Sequence, residues 1–263
     1  MRNPRTALVL LAAGSLAFGA GCSSTTDGTP TAHDAPATAS ASASVSVGTF
    51  DEPTSTGVPA VPYTPTSIQV TGDTGRVRYD VLVPQLTGGD PAVTGEFDES
   101  MRAALQDQID GRSGERFTLD SGRGSAVTHI GARVVSGLLI TSWNADPPGA
   151  HPTPLVATVV IGDDAQPITL DRLFPNLQAG LQRLSEESAR LLPSTAAGPD
   201  FVRDGIEPRV ENFANWVATP AGMELHFTDY QVGPHAAGLI VVTVPWDRLS
   251  DVVAPDLLPV VSS

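Results

Sequence analysis

Histidines and carboxylates are the side chains of this sequence best equipped for chemistry. Five histidines occur: His33, His129, His151, His226 and His235. With Asp229, the last four could be imagined as a metal site, since imidazole nitrogen and carboxylate oxygen both ligate zinc. None stands at a His-x-x-x-His spacing, although His226 and His235 flank a turn that could bring them together. The reading adopted is that no metal is held. His151 then caps a strand crossing, and the other histidines are surface or hydrogen-bonding residues. A serine hydrolase would need a Gly-x-Ser-x-Gly elbow, which the stretch from Gly122 to Ala126 misses. Asp163-Asp164 and Glu186-Glu187 are adjacent pairs. Adjacent side chains diverge on a helix or a strand, so these are poor acid/base partners. They mark a turn and a solvated helix face. No catalytic residue and no cofactor is expected.

Composition narrows the chemistry further. The chain contains no lysine. P-loop, Ser-x-x-Lys, Schiff-base and pyridoxal chemistries all need one, and all are excluded. The formal net charge is −14. Such a surface repels nucleic acid and anionic lipid, and attracts cationic partners.

Cys22 is the single cysteine, so no internal disulfide can form. It follows a positive start (Arg2, Arg5), an apolar run from Thr6 to Ala20 and small residues. That order is an export signal, and the run is too short for a stable membrane span of roughly 20 residues. We expect residues 1–21 to be a lipoprotein signal peptide and Cys22 to carry lipid that anchors the chain outside the cell membrane. Gly19 stands where such signals usually carry leucine; the alternative is a secreted chain with an incidental cysteine. Residues 22–64 are dominated by Ser, Thr, Ala and Pro. They hold too few large apolar side chains to offset ordering entropy, and are expected to be a disordered tether.

The rest, residues 65–263, must position any site. Val77, Tyr79, Val81 and Val83 alternate as one face of a strand. Phe97, Met101, Leu105 and Ile109 recur at four-residue spacing on a helix, with Asp98 and Glu99 placed near its start. Strands are expected at 127–135 and 138–142, turning at Ser136-Gly137, and at 155–161. A second helix carries Leu177, Leu181, Leu184, Leu191 and Leu192. A hairpin at 212–229 turns around Pro220 to Gly222, and a last strand spans 239–244. Together these predict an α+β fold: a single domain with a largely antiparallel or mixed sheet and two packed helices.

Two segments carry a resemblance. One runs from Pro148 through Gly149, Ala150 and His151 to Pro152, followed by a strand, a Gly-Asp turn and Ile168 to Phe174. The other runs from Leu225 through Asp229, Tyr230, Gly233, Pro234 and His235 to Gly238, followed by Val241 to Pro245. Over about residues 65–255 the chain resembles the domain-of-unknown-function 3298 family. That family includes a secreted mycobacterial immunogenic protein and the extracytoplasmic part of a lysozyme-sensing anti-sigma factor. The resemblance implies a non-catalytic module that recognises an extracytoplasmic protein, such as a cationic muramidase, or a wall component. Gly149, His151, Tyr230 and His235 are its candidate ligand contacts because they lie in the family motifs. Tyr230 is expected to bury its ring, and Pro147, Pro148 and Pro152 to hold a strand crossing extended. The alternative is an exported hydrolase with an unrecognised active site. A hydrolase should show a deep pocket with convergent polar groups, a recognition module an exposed patch on shallow loops.

Overall fold

The computed structural model describes residues 61–111, 114, 116–149 and 151–263. Cys22, the signal segment and nearly all of the expected tether lie outside them. Order is already present at strand β1 (Thr64–Asp73), which pairs antiparallel along its whole length with β2 (Val77–Thr87). The odd-numbered residues Val77, Val81 and Val83 of β2 are fully buried, as the alternation predicts.

The sheet continues through β3 (Phe117–Ser121), parallel to β2, to β5 (Val134–Ala145). β4 (Ala126–Ile130) and β3 share one edge of β5, and β6 (Thr153–Gly162) takes the other, so six strands form one mixed sheet. Helix α1 (Pro91–Asp110) covers one face, with Phe97, Met101, Leu105 and Ile109 buried against Val81, Leu119, Val135, Leu139 and Ile161. A second sheet lies beyond the opposite face: β7 (Trp216–Thr219), β8 (Gly222–Phe227) and β9 (Ile240–Val244), all antiparallel. It shares a core with the short helix α2 (Leu170–Leu173) and with α3 (Leu177–Leu191). In β5 and β6, Val135, Leu139, Val159 and Ile161 face the α1 core, while Val134 and Val160 face the other. Period-two alternation thus feeds two cores from one strand pair.

The architecture is α+β, with a mixed six-stranded sheet, a three-stranded sheet and two long helices. Several local expectations are corrected. The chain turns at residues 131–133, where Gly131 N–H donates to Val134 O at 2.8 Å, and not at Ser136-Gly137. Ser136 and Gly137 lie inside β5 because each answers a neighbour. Ser136 Oγ accepts from Ala218 N–H and donates to Ala218 O, both at 3.1 Å. Gly137 leaves room for the Phe97 ring, which a Cβ would meet at 2.6 Å. Helix α1 begins at Pro91, six residues before Phe97, capped by Asp90, whose side chain accepts from Ala92 N–H. Asp98 therefore lies in the helix body. It reaches sideways and accepts Leu86 N–H of β2 at 2.8 Å. The hairpin begins only at Trp216, because Asn212 Nδ2 donates to the carbonyls of Asp204 and Glu207 and draws that stretch into a turn.

Candidate functional site

Two loops converge outside the sheets. The first, residues 146–152, joins β5 to β6. These strands are direct antiparallel neighbours, so the prolines there shape a hairpin loop, not a crossing between distant strands; Asp146-Pro147 is cis. The second, residues 228–239, joins β8 to β9. His151 of the first stacks on His235 of the second, with ring centroids 4.0 Å apart and planes 21° from parallel. Tyr230 flanks the pair, its ring 5.7 Å from His235 and its hydroxyl 3.5 Å from His151 Nε2. Three of the four sequence-predicted residues are thus in one cluster. Gly149 is close by in the chain, and a Cβ there would meet open space, so its conformational freedom is not demanded by packing.

Tyr230 is not buried: it is 56 % exposed, and its φ is +63°. Its neighbour explains this. Gln231 is half-buried and ties the loop down, donating from Nε2 to Gly205 O and Asn212 O, while its Oε1 accepts Thr228 N–H. At Gly205 a Cβ would strike Gln231 O at 1.9 Å. Gln231 pins the loop, and the left-handed residue before it turns the ring outward. A left-handed conformation is costly for a bulky side chain and persists only where surroundings impose it.

Behind the rings sits Asp229, whose side chain is 2 % exposed. One carboxylate oxygen accepts from His235 Nδ1 at 2.8 Å, and the other meets no donor among the described residues. A hydrogen bond from Nδ1 to a carboxylate fixes the imidazole tautomer and leaves Nε2 as the outward lone pair. His226 does not approach His235. It is buried, with Nε2 2.9 Å from Glu224 Oε1, though off the line of an ideal hydrogen bond. This partner holds the Glu224 carboxyl below its ordinary 4.5, against the opposing effect of burial. His129 contacts the Ser263 carbonyl at 2.8 Å through Nε2. His151 and His235 therefore share one cluster, while His129 and His226 each have partners elsewhere.

Among the described residues, no group of three or more His, Cys, Asp or Glu is placed to hold a metal. The stack itself is unsuited to one. A nitrogen lone pair lies in its ring plane, and two nearly parallel rings cannot both point at one ion. A cavity of about 410 Å³, lined by Val160, Ile168, Leu170 and Trp216 among others, does not include the ring cluster. Its lining is mostly apolar, with Ser100, Thr158, Thr169 and Asp171 as its polar members, and the Asp171 carboxylate accepts a hydrogen bond from Thr169. Asp229 was marked in the sequence only as a possible metal ligand beside the histidines, and Gln231 only by lying inside the second family segment.

Residues 166–247 match the family model described as "Protein of unknown function (DUF3298)". Asp229, Tyr230 and His235 fall within that stretch; Gly149 and His151 precede it. No curated protein matches the chain. Among solved structures, a DUF3298 family member from Bacteroides fragilis aligns over 77 % of this chain and 97 % of its own, at 11 % identity and a TM-score of 0.53. A DUF3298 family protein from Pseudomonas aeruginosa aligns over 75 % and 96 %, at 14 % identity and a TM-score of 0.48. At such identities the Bacteroides likeness speaks for the fold alone. By its motifs and over residues 166–247, this chain is similar to the DUF3298 proteins of unknown function.

Proposed function

We propose that this chain is a non-catalytic recognition module of the cell envelope, anchored through lipid on Cys22, and that it meets its ligand with His151, Tyr230 and His235. The observation that carries this reading is the buried carboxylate of Asp229 behind an exposed ring cluster. Its hydrogen bond to Nδ1 holds the His235 ring in place. A tyrosine with strained backbone and an open face adds large contact area with few rotatable bonds, which suits a recognition surface. The ligand is an extracytoplasmic protein with a cationic surface or a wall component. Exported hydrolysis is the weaker reading, because among the described residues no serine, threonine or cysteine side chain is hydrogen-bonded to His151 or His235.

Titration of the full chain against a cationic muramidase and against cell-wall saccharide tests the proposal. Alanine at Tyr230 should weaken binding at least tenfold while leaving the melting temperature unchanged, whereas alanine at His235 should weaken it as much and also lower stability, because the buried Asp229 carboxylate loses its partner. A loss of stability at unchanged affinity would assign these residues to the scaffold. A protein ligand recognised by charge should also bind less tightly as the Debye length shrinks from about 10 Å at 0.1 M salt to about 3 Å at 1 M. Turnover of an ester, amide or glycoside that one side-chain change abolishes would overturn the recognition reading.

A further inference from the structure

Strand β6 is an edge of the six-stranded sheet, paired with β5 alone. Its even-numbered residues turn their backbone groups away from β5. Gly162 N–H donates to Gln166 O at 3.1 Å, and Val160 O accepts Ile168 N–H at 2.8 Å. The chain thus lays its own short segment, Gln166 to Ile168, along the end of this edge. The rest stays open. By the same alternation, the N–H and C=O of Val156 and Thr158 point outward, and no backbone group among the described residues bonds them. Pro154, the next outward position, has no N–H to offer, which suits an edge.

This open stretch joins two features. At one end Thr158 and Val160 line the cavity of about 410 Å³, with Ile168, Leu170, Leu177, Val210 and Trp216 as its apolar walls. Val210 is 41 % exposed, so the apolar wall reaches the surface. At the other end β6 starts directly after His151 and Pro152, and Val156 packs with Leu239, which ends the loop carrying His235. From Thr158 back to His151 is about 23 Å of strand at roughly 3.3 Å per residue. Charge then selects the occupant. No lining residue of the cavity is basic. Asp171 has no cationic partner among the described residues, because its neighbour Arg172 is bonded to Asp164. The Thr169 hydroxyl holds the Asp171 carboxyl below its ordinary 3.8, so it is ionised at neutral pH. Ser100, on the α1 side, donates to Glu96 Oε1 at 3.0 Å and keeps a second carboxylate nearby. The chain does not supply the missing cation. Residues 6–60 hold Asp27, Asp34, Asp51 and Glu52 but no Arg or Lys, and a second copy brings a net charge of −14. Both are repelled.

We propose that the open edge of β6 takes an extended peptide strand of a cationic partner protein, with one large apolar side chain in the cavity and a basic side chain beside Asp171. The inference rests on the recognition reading above and selects the protein ligand over the wall component. Backbone bonds to Val156 and Thr158 supply affinity, and the cavity with its carboxylate supplies the choice of side chains. The far end of the peptide reaches the His151 ring.

A random heptapeptide library panned against the full chain, followed by titration of the enriched peptide into the ¹⁵N-labelled chain, tests this. The enriched peptides should share a large apolar residue close to Arg or Lys. The bound peptide should shift the Val156 and Thr158 amides and protect them from hydrogen exchange. Methylating alternate peptide nitrogens should weaken binding about tenfold in one register and leave the other unaffected, since only one set faces β6. Thr158→Pro removes the outward N–H and should cost as much, whereas Thr158→Ala keeps it and should bind normally. The methylated peptides give the same answer should the proline variant fold poorly. Asp171→Asn should cost about fivefold against the basic peptide and nothing against its glutamine counterpart. Enrichment of peptides without a basic residue, an absence of any consensus, or equal binding by both methylated registers overturns the proposal. Protection of the Val156 and Thr158 amides before peptide is added would assign the edge to a second copy or to residues 6–60, and overturns it as well. A peptide that shifts Tyr230 and His235 but neither strand amide refutes the edge and leaves the recognition reading standing. Binding along the edge with the Tyr230 and His235 signals unmoved supports the edge and refutes the ring cluster.

Discussion

Single side chains set two measurable properties. The Glu224 carboxyl is held below 4.5 chiefly by its hydrogen-bonding contact with His226. A carboxyl depressed in the folded state contributes stability that is fully present above its unfolded value, and the contribution disappears as pH falls through the lower folded value. Glu224→Gln should therefore lower the urea midpoint at neutral pH, and the difference should shrink as pH falls through the depressed folded value. A gap that stays constant across that window would show that the pair acts through packing alone. The stacked imidazoles give the second property. Because two stacked, nearly parallel rings cannot both point at one ion, chelators should leave the melting temperature unchanged, and stoichiometric zinc should not raise it. A rise of several degrees with zinc would mean that the rings rotate apart to form a site. The sequence picked out His151, Tyr230 and His235, but could not reveal that Tyr230 faces outward. Burial of a tyrosine is a fair expectation from its apolar ring. What decides the matter is Gln231 tying the loop to Gly205, a contact across 26 residues that leaves no local pattern.

Secondary-structure elements were legible where one face meets one core. The stripe on α1 and the alternation in β2 did so, and their buried residues are those the spacing predicts. Legibility failed where a residue answers a distant partner. Ser136-Gly137 has the composition of a turn, yet it spans the middle of β5 because Ser136 is bonded to Ala218 and Gly137 lies under Phe97. Gly137→Ala should destabilise the fold by about 1–3 kcal/mol, the usual cost of overpacking a close-packed core. The new methyl meets an aromatic ring at 2.6 Å and Met101 Sδ at 3.1 Å. A glycine chosen only for turn geometry would tolerate the change or, in a strand, gain from it; urea denaturation separates the two. The missed start of α1 has a similar lesson. Pro91 reads as a breaker, but the first helical turn has no N–H partner for it to lose, and Asp90 supplies the cap. Asp90→Ala should cost about 1 kcal/mol. Strand β1 gave no signal because its residues are mostly exposed on both faces.

At the scale of the molecule, the decisive fact is that β5 and β6 belong to both cores. Val135 and Val159 pack under α1, while Val134 and Val160 pack toward the second sheet. Ser136 Oγ ties β5 to the β7 backbone, and Thr158 Oγ1 of β6 accepts Trp216 N–H at 2.9 Å. The residues matched by the family model, 166–247, supply the second sheet and α3 but neither of the shared strands. The core of that segment is completed by Val134 and Val160, which come from outside it. The two halves should accordingly unfold together. Tryptophan reports on each: Trp143 packs at the α1 core, Trp216 and Trp246 lie in the other. Phe97→Ala removes a fully buried ring from the α1 core only, at a cost of about 3–5 kcal/mol. In variants retaining either Trp143 or Trp216 as the sole fluorophore, that substitution should lower both denaturation midpoints by the same amount, in one coincident transition. Separate transitions, with the Trp216 midpoint unmoved, would mean that residues 166–247 fold without the first sheet and that the shared strands carry no coupling.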